Sequence, residues 1–110
     1  MITIPSLKSL FPLSLEENQI QAHLNRATKD YKDVVFEDEE HELEVVGSKT
    51  IYYLAPLLWI QMQNRVEEYA ESLGSFKDIK SFQSLWLDRA ETALLKVNTE
   101  QEDNIAWEVI

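Results

Sequence analysis

The sequence has no cysteine and is poor in glycine and proline. Without a thiol in its 110 residues the chain cannot form disulfides, zinc-thiolate sites or cysteine nucleophiles. Two glycines are too few for a glycine-rich phosphate loop, so phosphoryl-transfer and dinucleotide sites of that kind are not expected. Three prolines and little alternation of β-branched residues leave few interruptions to helices. These absences predict a mostly helical protein.

Basic charge and long apolar runs are also scarce. Acidic residues outnumber Lys and Arg by 20 to 10, and residues 37–44 hold six of them without one Lys or Arg. Such charge repels phosphate backbones and anionic lipid, so we expect neither sequence-specific nucleic-acid binding nor membrane binding. The uncharged run 50–64 is shorter than the roughly 20 apolar residues of a membrane span. The opening MITIPSLKSLFPLSLEE lacks the pattern of a signal peptide, which predicts an intracellular protein.

A chain of 110 residues with 45% hydrophobic content predicts a single domain with its own core. Its apolar residues recur at helical spacing. A short first helix is predicted between Pro5 and Pro12. Ser14 and Glu17 predict a capping box at the start of the second helix. The buried stripe of that helix is expected at Ile20, Leu24, Ala27 and Tyr31.

A long third segment carries two apolar stripes that differ in phase. Asp38 is expected to cap its start. The step from the stripe ending at Leu54 to the one beginning at Trp59 rotates the apolar face by roughly 140° on a straight helix. Either the helix is buried on all sides or it bends, and Pro56 favours a kink or two helices meeting near Ala55.

The last helix is expected to follow a stop at Gly74, with Asp78 as its cap, and to form an antiparallel helical hairpin with the third segment. After Val97 the sequence becomes polar and acidic, and then alternates before its end. The prediction is an all-α fold, a small helical bundle with a long kinked helix, a helical hairpin and an extended C-terminal tail. We expect a helical domain at 1–98 and the tail at 99–110.

No set of residues has the spacing of a catalytic, cofactor or metal site. His41 follows Glu37 and Asp38 at helical spacing, but one such pair lacks the second copy that a di-iron bundle needs. The serines at 72, 75, 81 and 84 have no nearby histidine to act as a base, so caps and turns are expected. A carboxylate pair for acid–base chemistry stays an open alternative. We therefore expect no enzyme activity, no cofactor and no metal.

Two groups of aromatic residues invite different interpretations. Tyr52, Tyr53, Trp59 and Trp86 could line a pocket, but their helical spacing favours packing in the core. The end of the chain differs, because a tryptophan and β-branched residues follow an acidic spacer there. This end is either folded back on the helices or docked on a neighbouring chain. The predicted partner-interface residues are Ile105, Trp107, Val109 and Ile110.

The order of these features resembles the small head–tail adaptor, or connector, proteins of tailed bacteriophages. In that family a short leucine-rich opening precedes an acidic-capped helix, a loop, a long helix pair and a tail that leaves the helical body. The matching stretches cover most of the chain by pattern rather than by signature motif. They are Leu7 to Phe11, Ser14 to Tyr31, Tyr53 to Arg65 and Glu100 to Ile110. Pro56 and the acidic run 37–44 depart from the family pattern.

The resemblance implies a structural virion protein that forms a homo-oligomeric ring at the portal vertex, with portal and tail proteins as partners. DNA would pass through the ring, where negative charge would keep it from sticking. The alternative is a small acidic cytoplasmic regulator that masks a basic protein partner with residues 37–44. A neighbouring portal or terminase gene would favour the first interpretation.

Overall fold

The computed structural model describes the backbone of residues 1–109 and the side chains of residues 1–71 and 73–95. Every secondary-structure element of the described residues is a helix, and no strand occurs among them. The predicted all-α class is confirmed. The elements are α1 (Ile4–Leu10), α2 (Glu17–Asp30), α3 (Glu39–Glu42), a π-helical segment (Leu43–Gly47), α4 (Ser48–Asn64), α5 (Val66–Ser75) and α6 (Ile79–Val109).

The first two helices begin differently. α1 is present as predicted, with Pro5 in its first turn, and Thr3, which was not predicted as a cap, accepts the N–H of Ser6 at 3.3 Å. The capping box predicted for α2 is wrong, because the residue before the helix is Glu16 and makes no side-chain cap. The backbone N–H of Ser14 donates instead to Gln61 Oε1 at 3.1 Å, which ties this loop to α4.

The acidic run enters the helices through α3. The predicted cap is confirmed, because Asp38 Oδ1 accepts the N–H of His41 at 2.8 Å. A π-helical turn then continues without a break into α4. At its last residue the chain approaches α1 closely, since a Cβ placed on Gly47 would lie 2.6 Å from Leu10 Cδ1. Any side chain larger than that of glycine would therefore require the end of the Leu10 side chain to shift.

Two alternatives were predicted at Pro56, a kinked helix or two helices meeting near Ala55, and the second is wrong, because α4 does not end or divide there. It continues to Asn64, and the break comes at Arg65, whose φ and ψ are −130° and 56°. A proline inside a helix costs about 3 kcal/mol. Burial offsets this cost, because Leu54, Ala55 and Leu58 around the proline are all fully buried. The phase change along the sequence therefore reflects a central helix that is buried on several sides.

Gly74 does not stop α5 in the predicted way. The helix continues through it to Ser75, and no glycine in the described backbone has a positive φ. Asp78 does cap α6 as predicted, with its carboxylate accepting the N–H of Ser81 at 2.9 Å. α6 packs along α4 and the π-helical segment. Its direction is antiparallel to α4, because Glu44 pairs with Arg89 and Trp59 contacts Phe82.

One continuous core joins α1, α2, α4, α5 and α6. Phe82 lies at its aromatic centre, in contact with the rings of Phe11, Phe76 and Trp86 at centroid distances of 5.2–6.3 Å. Trp86 is 3% exposed, which confirms its predicted place in the core. Tyr52, Tyr53 and Trp59 pack against the core but are only partly buried.

The helical backbone of α6 continues to Val109, where an extended tail was expected from residue 99. Residues 98–109 contain neither Gly nor Pro, the two residues that interrupt helices most strongly. The side chains of the predicted interface, Ile105, Trp107, Val109 and Ile110, lie outside the described residues. The division into residues 1–98 and 99–110 stays a prediction.

Candidate protein interface

The acidic run 37–44 is partly used to hold the fold together. Asp38 caps α3, and the carboxylate of Glu42 lies 3.2 Å from the amino group of Met1. Glu44 accepts two hydrogen bonds from Arg89, from Nε at 3.0 Å and from Nη2 at 3.1 Å. Glu39 and Glu40 lie exposed in the first turn of α3. The expected solvated loop and helix start is thus combined with internal pairing.

Arg89 connects the acidic run to the aromatic core. Its guanidinium lies 4.6 Å from the ring centroid of Trp86, while its two hydrogen bonds reach Glu44 across the helix pair. A planar guanidinium can donate two hydrogen bonds to one carboxylate while it stacks on the face of an aromatic ring. The pair therefore orients α6 against the π-helical segment, and an acidic surface residue becomes part of the packing.

His41 lies between α3 and α6 and acts as a structural bridge. Its Nδ1 accepts the backbone N–H of Glu37 at 3.3 Å, which leaves Nε2 as the protonated nitrogen. Nε2 then donates to the backbone oxygen of Ala93 at 3.0 Å. The ring also contacts Phe36 edge-on at 5.5 Å. Both nitrogens are used within the chain, so this histidine has a packing role.

A cluster of tyrosines and cations lies between α2 and α4, and sequence reasoning did not identify it. The guanidinium of Arg26 lies 3.9 Å from the ring centroid of Tyr53. The ammonium of Lys49 lies 5.5–5.9 Å from the rings of Tyr31, Tyr52 and Tyr53. The only sequence signal was the spacing of Lys49, Tyr52 and Tyr53 on one helix, which predicts a shared face but not the approach of α2.

The hydroxyl of Tyr53 donates a hydrogen bond to Asp30. Loss of solvation raises the pKa of Tyr53 to about 12, and the hydrogen bond and negative charge of Asp30 act in the same direction. Burial likewise raises the pKa of Tyr31, with smaller contributions from Asp30 and Glu91. These phenols are neutral donors at physiological pH. The cluster combines tyrosine rings with an arginine, and both residue types are enriched at protein-binding surfaces.

Apolar side chains are exposed at separate places on the described surface. Ile60 and Val66 are each 56% exposed, on either side of the break at Arg65. Leu85 and Leu95 are exposed along α6 at 41% and 60%. Single exposed apolar residues are ordinary on soluble proteins, so none of these defines a site alone.

The described residues contain no group of three His, Asp or Glu side chains placed to hold a metal ion. No helix in the described part of the chain is long and apolar enough to span a membrane. Ser75 and Ser81 are bonded to Glu71 and Asp78 respectively, as expected of helix-end serines. Searches with this chain match no protein-family model, no curated protein and no solved structure.

Proposed function

We propose that this protein is a non-enzymatic structural adaptor of the head–tail connector kind. In this proposal copies assemble as a ring at the portal vertex of a virion and join portal and tail proteins. The contacts with those partners are made by Ile105, Trp107, Val109 and Ile110. The protein would be assembled in the host cytoplasm and function in the virion.

The observation that carries the proposal is the continuity of the core upstream of that segment. Side chains from Leu7 to Ala93 already form one continuous core, to which α1, α2, α4, α5 and α6 all contribute. A body with its own continuous core can present a further apolar segment to another chain. The resemblance also implies a negatively charged surface to which DNA does not stick. The two exposed carboxylates of α3, Glu39 and Glu40, are consistent with such a surface.

Deletion of residues 101–110 tests the proposal. The shortened chain should keep the helical circular dichroism of residues 1–100 and the Tm of the full chain, yet fail to enter a complex with portal and tail proteins in size-exclusion chromatography. Trp107→Ala in the full chain should weaken assembly similarly, whereas Gln101→Ala, in the same segment, should not. Unfolding of the shortened chain would place residues 101–110 in the core, and unchanged assembly would remove their proposed role.

A DNA-binding measurement tests the proposed ring lumen separately. Purified protein should not bind duplex DNA at about 150 mM salt, where charges are screened beyond about 8 Å. Measurable binding under that condition would contradict a lumen through which DNA slides freely.

A second candidate is a regulator that binds a basic protein through the acidic run. Glu39 and Glu40 favour it, because both carboxylates are exposed on one turn of α3. The double variant Glu39→Gln, Glu40→Gln distinguishes the candidates. A regulator should lose its basic partner, while an adaptor that works through residues 105–110 should still assemble.

A further inference from the structure

A cavity between α2 and the π-helical segment can accept a large side chain. Its volume is about 420 Å³, within the range of small-ligand pockets. The buried Leu24 and Val46 line it together with Ile2, Val34 and Phe36. Gln21, Asn25 and Thr28 are exposed where it opens and bring amide and hydroxyl groups to its edge. An apolar interior with a polar edge suits tryptophan, which has an apolar ring and one N–H donor.

The charge at this cavity is favourable to an acidic segment. Lys32 lines the cavity and is exposed, and no carboxylate of the described residues forms an ion pair with its ammonium. Tyr31 also lines the cavity, and the ammonium of Lys49 lies 5.9 Å from its ring. The carboxylate at this edge, Glu42, is already paired with the amino group of Met1.

Two other surface depressions lack this balance. One is lined by Glu44 and Asp88, and its cation Arg89 is already bound to Glu44. The other, beside Leu57 and Ile60, has Arg65, but the Arg65 guanidinium lies 3.6 Å from the carboxylate of Glu68. An acidic segment would meet uncompensated or competing carboxylates at both.

The chain itself contains a segment with the matching chemistry. Residues 99–110 include Trp107 and the acidic Glu100, Glu102, Asp103 and Glu108, without a single Lys or Arg. We infer that the cavity beside α2 binds Trp107 of a second copy of this chain, with the acidic residues of that segment facing Lys32 and Lys49. This inference rests on the proposed function, in which residues 105–110 bind other chains, and it names one of those chains.

Such a contact joins two different surfaces. It is therefore heterologous, and repetition of it builds a ring when the rotation closes. Each copy gives one segment and one cavity, so a copy with a defective segment and a copy with a defective cavity should still form one contact together.

Mixing two full-length variants tests this. Wild-type protein should self-associate in analytical ultracentrifugation at about 100 μM, and Lys32→Glu and Trp107→Ala should each weaken association about tenfold or more. An equimolar mixture of the two variants should recover a heterodimer and nothing larger. Lys29→Glu is the matched control, since Lys29 is exposed three residues before Lys32 but does not line the cavity.

A cross-link provides an independent readout that does not require the tryptophan to be removed. Because the chain has no cysteine, Asn25→Cys mixed with differently tagged Glu108→Cys should give a mixed disulfide dimer on oxidation. Lys29→Cys mixed with Glu108→Cys should give much less. Monomeric wild type at about 100 μM, failure of the variants to complement, or equal cross-linking from both positions would each overturn the inference. The proposed function is decided separately, by assembly of the 101–110 deletion with portal and tail proteins.

Discussion

The backbone N–H of Ser14 donates to the side-chain oxygen of Gln61 at 3.1 Å, across 47 residues of sequence. The side-chain nitrogen of Gln61 donates to the hydroxyl of Tyr69, whose oxygen lies 3.4 Å from the backbone oxygen of Pro12. One buried amide thus joins the loop before α2, the end of α4 and the start of α5.

Gln61→Leu should destabilise the protein by about 1–3 kcal/mol, because it leaves the buried hydroxyl oxygen of Tyr69 without its donor and the partly buried N–H of Ser14 without its acceptor. The control is Gln63→Leu, two residues along the same helix and exposed, which should change the free energy of unfolding by less than about 0.5 kcal/mol. Urea denaturation measures both. Equal effects would mean that the buried amide contributes no more than a surface glutamine.

The two glycines should respond in opposite directions to alanine. Gly74→Ala should stabilise by about 0.5–1 kcal/mol, since Gly74 is in α5 without a positive φ and its added Cβ meets no atom within 4 Å. Gly47→Ala should be at least about 1 kcal/mol less stable than Gly74→Ala, because its Cβ would crowd Leu10 and Leu43.

The cause of the Gly47 effect can be checked by adding Leu10→Ala. That change removes the atom 2.6 Å from the new Cβ, so the double variant should be more stable than the sum of the single changes predicts. Additive changes in thermal denaturation would exclude crowding against Leu10 as the cause.

The Glu44–Arg89 pair should contribute a small, salt-dependent coupling. The side chains are 37% and 35% exposed, so solvent screening limits a double-mutant cycle with Glu44→Gln and Arg89→Gln to about 0.5–1 kcal/mol. Lysine in place of Arg89 should not keep this coupling energy, since Arg89→Lys removes the two parallel hydrogen bonds to Glu44. A coupling that persists unchanged in about 1 M salt would contradict an electrostatic origin.

Tyr53 should titrate late and reduce stability at high pH. Its pKa is raised to about 12 in the folded chain, so its stabilising effect is complete below the ordinary tyrosine value near 10 and is lost as pH rises through 12. Asp30→Asn should lower this pKa, because the carboxylate accepts the phenol proton and repels the phenolate. The tyrosinate absorbance of wild type, Asp30→Asn and Tyr53→Phe measures it, and an unchanged final step in Tyr53→Phe would assign that step to another tyrosine.

Much of the fold could be predicted from local chemistry. The caps at Asp38 and Asp78 and the buried stripe of Ile20, Leu24 and Ala27 follow from residue type and spacing alone. The predicted division of the helix near Pro56 was wrong, because the free-energy cost of the proline is visible in the sequence and the burial of its neighbours is not. Ser14 misled similarly, since its N–H found a partner in a residue distant in sequence.

The candidate surfaces were harder to predict than the helices. The cluster of Arg26, Lys49 and Tyr53 requires α2 to lie beside α4, and no spacing within one helix reveals that approach. The pairing of Glu44 with Arg89 depends in the same way on the antiparallel arrangement of two helices. The role of Ile105, Trp107, Val109 and Ile110 stays a prediction from composition.

The π-helical turn at Leu43–Gly47 determines the rotation of α3 about the helix axis relative to α4. Each of its rings encloses one residue more than an α-helical ring, and one residue corresponds to about 100° around a helix axis. Shortening the segment by one residue would therefore rotate α3 about that axis and turn His41 away from Ala93, even though every side chain on α3 would still be present. In this part of the molecule the number of residues, more than their identity, determines which way the acidic turn faces.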